Sequence, residues 1–543
     1  MWQQNYEFIG GSLGFSALIA ATPLLVLFYL LGVKRKPAWI AAVSALGVAW
    51  AVALVAIRMP LQQAVAATLN GAAFGLFPIS WIVFSSILLY RVAVDTGKFE
   101  IIKDSLGALT DDRRLQLLLI AFSFSAFIEG SAGFGSPVAV SAAMLTGLGF
   151  PPFQAAVLCL LGNTAPVAFG SIGIPIITLT QITGLPMEFL SAMTGRILSI
   201  IAVIIPMYLL VLMSGVRNMV AVWPAVLACG LGFGVVQFLV SNFIGPELAD
   251  ILGALSSISA LVLLMKFWQP ARFFRLPGDE PADGRHKKHG GGATLLAWTP
   301  YLLLVVFVLL WGYRPVRALL ETVTVTFPVP GLHNTIQRIP PVTAAPSPYA
   351  ALYTFNWLSA AGTSCFLACF VAALALGVKL RRFGSLYMAT LHQLALPIVT
   401  ISSVLALAYV MNYAGMTSTL GLAFAATGVA FPFFSATLGW LGVVLTGSVT
   451  SSNALFGNLQ VVTANSLDMN PILTASANAS GGVMGKMISP QSIAVAVAAT
   501  GMAISDEGKL FRFMLRHSIV LVAIIGVLVL LYAYWFPGLV PRV

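Results

Sequence analysis

The stretch LQLLLIAFSFSAFIEGSAGFGSPVAVSAAMLTGLGF, residues 115–150, decides how the chain is read. Two apolar arms flank a tip, Glu129 to Pro137, built almost wholly of small residues. Each arm is roughly 13–16 residues, whereas a helix rising about 1.5 Å per residue needs roughly 20 to cross a bilayer's hydrocarbon. The block is too long for one crossing and too short for two. A hairpin that enters and leaves on the same side is the reading that remains.

The rest of the chain calls for a membrane. Of 543 residues, 59% are hydrophobic and 8% charged, and the mean hydropathy is +0.96. A soluble domain carries roughly 25% charged residues. Apolar segments of spanning length recur at 12–33, 38–57, 74–94, 152–180, 195–214, 218–240, 249–268, 295–312, 357–378, 388–412, 471–503 and 514–536. They predict an all-α polytopic membrane protein with about 12 transmembrane helices. A barrel would show short alternating segments instead.

The net charge of +11 does not point to nucleic acid, because the basic residues are punctuation between apolar spans. They cluster at Lys34–Lys36, Lys98–Arg114, Arg272–Lys288, Lys379–Arg382 and Lys509–Arg516, as cytoplasmic loops do. Cys159, Cys229, Cys365 and Cys369 lie inside apolar spans and read as small core residues, not disulfides or metal ligands. The N-terminal MWQQNYEFIGGS lacks a basic leader, so no removable signal peptide is expected.

The positive-inside rule puts both termini outside and fixes crossing parity. Between the basic segments 95–114 and 269–294 lie four spans, so block 113–150 must return to the inside. In the second half, 388–412 exits from the basic loop 379–387, and 471–503 must run inward to Lys509. Block 433–464, with its tip TGSVTSSNALFG at 446–457, must then enter and leave from outside. Internal similarity supports the pairing. Asn163 in GNTAPVAFGSIGIP and Asn478 in ANASGGVMGKMISP each stand twelve residues before a proline, Pro175 and Pro490. Both stretches break an apolar span, at 152–180 and 471–503, a pointer to a transporter binding site. The expected organisation is a first inverted repeat at 1–214, two connecting helices with a basic linker at 215–294, and a second repeat at 295–543.

Two hairpin tips and two broken helices persist in a bilayer only where they face protein or a wet cavity. Their helix ends offer free N–H groups to an anion, and Ser, Thr and Asn add neutral hydrogen bonds. The candidate substrate-binding residues are Ser131, Asn163, Thr164, Ser448, Ser451, Asn453, Asn478, Ser480 and Lys486. A charge at the bilayer centre costs about 2.5–3.5 kcal/mol even on the lenient scale, so Glu129 and Lys486 need a task or a partner. Lys486 would be the counter-charge for a carboxylate and Glu129 the proton carrier; a structural Glu129–Lys486 ion pair is the alternative. His392 reads as a loop-proximal or packing residue, Arg91 and Arg196 as snorkelling side chains, and Glu247 and Asp250 as helix-start acids. Nothing matches a phosphate loop, a zinc site, a hydrolase triad or a dinucleotide fingerprint, so neither an enzyme nor a cofactor is expected.

The motifs MWQQNY, EGSAGFGSPVA, NTAPVAFG, GIPI, SNFIGPEL, RIPPV, SSNALF and GGVMGKMISPQSIA together closely resemble the bacterial L-lactate permease family, from near residue 1 to the last span. The resemblance implies an inner-membrane secondary transporter for lactate, glycolate and other 2-hydroxy monocarboxylates, proton-coupled, surrounded by lipid, and a homodimer by analogy with related carriers. In the family's pattern the second tip reads GSDTSSNALF, whereas here Val449 follows Gly447 and Ser448. Valine cannot titrate. Either Glu129 carries the proton, or coupling differs, or that aspartate is not the coupling group. A dicarboxylate carrier, sodium-coupled, is the rival within the class; a membrane-embedded enzyme and a channel are the rivals outside it.

Overall fold

The computed structural model describes residues 1–133, 135–276 and 289–542. Within them eleven helices are long and apolar enough to cross a membrane, or twelve if the bent pair Pro152–Gly162 and Val167–Thr183 is one span. The pair bends by 60°. The chain is an all-α polytopic membrane protein. Tip residue Phe134 and the basic stretch 277–288 lie outside the described residues.

Several boundaries differ from the sequence reading, each for a visible reason. The third span runs Leu61–Asp95, interrupted at the extended Phe77, and does not begin at 74. Its polar start is sheltered, since Gln63 Nε2 reaches the carbonyl and hydroxyl of Thr335 at 3.3 Å. The basic loop 379–387 is already helical, within Leu380–Ala414, and Arg382 there pairs with Asp95 at the end of the third span. Between the span 388–412 and the block 433–464 lies a further helix, Met416–Phe424, which leads through a kink at Gly428 into Phe431–Thr446. The segment 313–356 is not bare loop either. It holds the helix Arg314–Glu321 and two small sheets, in one of which Trp2–Gln3 pairs in parallel with Ile336–Arg338. Tyr6 is packed into this end, and its burial pushes the phenol pKa up to about 12.

Both suspected blocks are hairpins of helices. In the first, Arg113–Ser131 and Ser136–Gly147 are the arms. Its ends meet: the Arg113 guanidinium lies 5.4 Å from the ring centre of Phe150. The base is anchored by a buried pair, Arg114 and Asp112, whose remaining donors and acceptors bind the carbonyls of Asn218 and Arg272 and the amide of Phe274. In the second, Phe431–Thr446 and Val449–Ser466 are the arms, and their open ends are joined by Ser435 Oγ donating to Gln460 Oε1 at 2.7 Å.

The helix Met187–Ser214, 28 residues, about 42 Å at 1.5 Å per residue, serves as a ruler between the two. Near its C-terminus the Met213 carbonyl meets Gln154, just beyond the first hairpin's base. Near its N-terminus the Leu190 carbonyl meets Ser476, just beyond the second hairpin's open end. The two hairpins therefore open toward opposite ends of that helix.

The second hairpin's first arm packs against Pro471–Lys486 with the backbones almost touching. A Cβ on Gly481 would sit 2.0 Å from the carbonyl oxygen of Ala436, and one on Gly485 would sit 2.5 Å from that of Trp440. From Gly439 on the opposing helix, a Cβ would sit 1.9 Å from the Asn478 carbonyl. Small residues four apart permit this approach in membrane helices. They also correct the sequence reading of 471–503. The glycines after Asn478 do not unwind that helix; it runs unbroken to Lys486, and the break is the three residues before Pro490.

Gly481→Ala is expected to cost about 1–3 kcal/mol through overpacking. Gly384→Ala, in a helix where a Cβ meets nothing within 4 Å, is expected to be neutral or to gain up to about 1 kcal/mol. Thermal unfolding of the detergent-purified variants distinguishes the two.

Candidate functional site

The first tip is held by the break in the 152–183 pair. Pro152–Gly162 ends at Asn163, whose Nδ2 donates to Glu129 Oε2 at 2.9 Å and whose Oδ1 accepts from Ser125 Oγ at 3.2 Å. Ser171, Ile172 and Gly173 then take left-handed φ values of 48°, 60° and 75° before the helix resumes. A left-handed residue with a side chain costs roughly 1–2 kcal/mol, and a β-branched one is a true outlier. Such strain persists only where the surroundings enforce it, and it gathers at functional sites. Here the enforcement is visible: Ser171 Oγ donates to the carbonyl of Ala132 at 3.1 Å, and Gly170 lies against the Glu129 carboxylate. Ser131 and Thr164 turn back onto their own helix ends, bonding the carbonyls of Phe127 at 2.8 Å and Leu161 at 2.6 Å.

The second tip is a hinge of helix ends. Thr446 and Lys486 close their helices, and Val449 and Pro490 open the next two. Ser448 and Ser489 cap those new helices through their hydroxyls. Gly447 and Gln491 are neighbours across the hinge, a Cβ on the former meeting Gln491 Oε1 at 2.8 Å. Gly135 of the first tip faces Val495 on the same short helix. Lys486 Nζ donates to the Gly447 carbonyl at 2.6 Å. Both helix C-termini there favour a cation, while the first-turn N–H groups of Val449, Thr450 and Gln491 lack intrahelical acceptors and favour an anion.

A buried ladder joins the halves. Asn453 Nδ2 donates to the Pro175 carbonyl at 2.9 Å, across the break in the first half. Asn453 Oδ1 accepts from Asn478 at 3.0 Å, and Asn478 Oδ1 accepts from Gln460 at 3.1 Å. Ser480 Oγ is buried there without a partner.

The nine substrate candidates thus fall into two groups. Ser448, Ser451 and Lys486 are partly accessible at the hinge, beside the exposed Gln491. Ser131, Asn163, Thr164, Asn453, Asn478 and Ser480 are buried, and all but Ser480 are engaged in holding the breaks. Glu129 and Lys486 lie within electrostatic range of each other but form no ion pair with each other; the ammonium is bound to the Gly447 carbonyl and the carboxylate to Asn163. Gln460, Gln491 and Gln237 have site positions that the sequence did not single out; a lone glutamine in an apolar span is the signal that was available.

Among the secondary residues, His392 is exposed on its helix and Arg196 binds Asn242 Oδ1 at 2.9 Å and the Leu539 carbonyl. Arg91 is bonded to Gln393. Asp250 needs correction. It lies in the first turn of Ala249–Phe267, but it makes no cap hydrogen bond; its side chain turns inward and accepts from Gln237 Nε2 at 3.0 Å. A helix N-terminus is worth about 0.3–1 kcal/mol to a carboxylate, whereas burying an unpaired one costs several.

A separate groove of about 950 Å³ lies between Leu61–Ala73 and the strands around Phe327 and Tyr353. Its lining is mostly apolar, with Gln62 and Asn70 as its amide side chains and no charged residue among those that line it.

A polytopic helical bundle whose helix breaks gather polar side chains and a partly accessible lysine has the architecture of a transporter. The chain belongs to the L-lactate permease family, whose pattern it matches over residues 16–536. It is 45% identical to the L-lactate permease of Bacillus subtilis, covering 99% of this chain and 100% of that one. It is 45% identical to the L-lactate permease of Escherichia coli K12 over the whole of both chains, and 44% identical to that strain's glycolate permease GlcA over 99% of each. Among solved structures, Neisseria gonorrhoeae MtrF aligns over 94% of this chain and 98% of its own, at 14% identity and a TM-score of 0.47.

Asn453→Leu removes the donor to Pro175 and the acceptor for Asn478 together. Each buried group left unpaired costs about 1–3 kcal/mol. A clear fall in the thermal midpoint of the purified protein is expected, larger than for Ser451→Ala, which removes a partly accessible hydroxyl.

Proposed function

We propose that the chain imports L-lactate and related 2-hydroxy monocarboxylates, D-lactate and glycolate among them, by proton symport with alternating access. The observation that carries this reading is the hinge around Lys486. Its ammonium is held by one neutral carbonyl, Gly447, and borders free helix N-termini on the accessible side of the second tip. A monocarboxylate supplies one negative charge and two acceptors, which the ammonium and the amides of Val449, Thr450 and Gln491 match. The 2-hydroxyl then meets Ser448 or Ser451. The relatives' names, lactate and glycolate permeases, support the same substrate class.

The first hairpin is read as re-entrant from the cytoplasm and the second from outside, within two inverted repeats. The support is that they open toward opposite ends of Met187–Ser214. Glu129 is the proton carrier, buried at 4% exposure and bonded to Asn163 at the strained break. Substrate on Lys486 lies within electrostatic range of Glu129, so the anion favours a proton on the carboxyl and the proton favours the anion. That mutual preference is the coupling free energy a symporter needs. Alternating access follows when the hairpin tips move as a unit against the remaining helices.

Uptake of labelled L-lactate into proteoliposomes tests this, with and without an imposed inward proton gradient. Gradient-stimulated, saturable uptake that glycolate inhibits and succinate does not is expected. Saturable uptake indifferent to the gradient removes the symport claim, and no saturable uptake removes the substrate claim. Lys486→Met is expected to lower uptake at least about a hundredfold, the loss of one charged hydrogen bond of roughly 3 kcal/mol. Glu129→Gln is expected to abolish the response to the gradient.

A further inference from the structure

Gly130, in the first tip, rests directly on Asp250. A Cβ on Gly130 would lie 2.9 Å from Asp250 Cβ and 3.0 Å from the Ile251 amide nitrogen, so the tip seats only because that residue is glycine. Asp250 is 1% exposed and Gln237 is 0% exposed. Gln237 Nε2 donates to Asp250 Oδ1 at 3.0 Å, which leaves two acceptors, Asp250 Oδ2 and Gln237 Oε1, buried without any donor. Native interiors seldom leave such atoms bare, and each one calls for an explanation.

One proton explains both. A carboxyl and a primary amide are complementary along one edge: the amide N–H meets one carboxyl oxygen, and a proton on the other oxygen faces the amide carbonyl. A protonated Asp250 supplies the missing donor to Gln237 Oε1 while ceasing to be an unpaired buried charge. Deprotonation restores two bare acceptors and a charge, and both are felt by the tip that rests on the residue.

The surroundings fit a group that responds to the first tip. The charged group facing Asp250 is Glu129, on the helix leading into that tip. From Trp223–Phe243 it meets the neutral Gln237, while Cys229 of the same helix faces Ser123 and Ser257. Glu247, just before the helix, feels the charges of Arg317 and Glu188.

We propose that Asp250, paired with Gln237, is a second proton-binding carboxyl, which exchanges its proton as the first tip moves and so shares the coupling with Glu129. Its role in transport rests on the proton-symport reading above; its protonation does not. The test has two arms. Infrared spectra of the purified protein at neutral pH are expected to contain a protonated-carboxyl C=O band that Asp250→Asn removes and Glu129→Gln leaves in place. In proteoliposomes, Asp250→Asn is expected to lose lactate accumulation under an imposed pH gradient, the ratio falling to about one, as for a carrier with no coupling free energy. Absence of the band, its persistence in Asp250→Asn, or wild-type accumulation by that variant overturns the proposal. Should Asp250→Asn fail to fold, Gln237→Leu serves: the band is expected to shift upward as the carbonyl loses its amide donor, and an unshifted band overturns the assignment. If the wild-type protein moves no lactate at all, the transport reading fails while the band still decides the state of Asp250.

Discussion

The hydrogen bond from Asn453 to the carbonyl of Pro175 carries the constraint on which the rest of this structure depends. A helix broken inside an apolar bundle exposes peptide groups that no lipid can satisfy. The break at 163–173 is held by Asn163 and Ser171 within its own half, and just past it, at Pro175, the second hairpin adds a donor. Asn453 is in turn fixed by Asn478, Asn478 by Gln460, and Gln460 by Ser435. The two hairpins are therefore not independent insertions. The second hairpin supplies a side chain that ties down the resumed helix of the other half, while its own tip is held by Ser448, Lys486 and Ser489.

Close helix contact does the complementary work. The backbones around Ala436, Gly439, Gly481 and Gly485 approach to distances that exclude any side chain. This anchors Lys486 at the end of a rigid helix and places its ammonium against Gly447, at the end of another. A flexible stem at the end of an unwound segment would hold a charge poorly. A stem at the last turn of a packed helix holds it where two helix C-termini favour it. The rigid half of the site is thus built from glycine, the residue most often associated with flexibility.

How much was legible in sequence follows from these two devices. Arm length and charge parity located two helix–turn–helix blocks, but the arms are longer than the sequence suggests: Arg113–Ser131 and Met416–Thr446 are each long and apolar enough to cross a membrane. The span starting at Leu61 was misread because Gln62, Gln63, Thr68 and Asn70 look exposed until the 313–356 segment and its sheets are seen to shelter part of that helix. The glycines after Asn478 were read as a break because a sequence does not tell glycine for unwinding from glycine for contact; only the partner at Ala436 and Trp440 decides. Asp250 looked like a helix-start acid for the same reason. Its inward turn is set by Gln237, thirteen residues earlier on another helix, and by Gly130, 120 residues earlier in the first tip.

Val449 also takes on meaning from its surroundings. It is the first residue of the helix after the second tip, 2% exposed, with a methyl 3.7 Å from where a Cβ on Gly482 would be. An aspartate at this position, as the family's pattern has it, would put a carboxylate at a helix N-terminus on the residue two beyond Gly447, near the ammonium of Lys486. The lysine would then have a resident counter-charge and the free amides a resident anion, so an arriving carboxylate would have to displace it. With valine, no resident carboxylate at this position offsets the Lys486 ammonium. The protonatable groups then lie on the other side of the contact, at Glu129 and at the acid beneath Gly130. In the proposed reading the substrate charge meets Lys486 beside the second tip and the protons sit at Glu129 and Asp250 around the first, so movement of one tip relative to the other changes the energy of both.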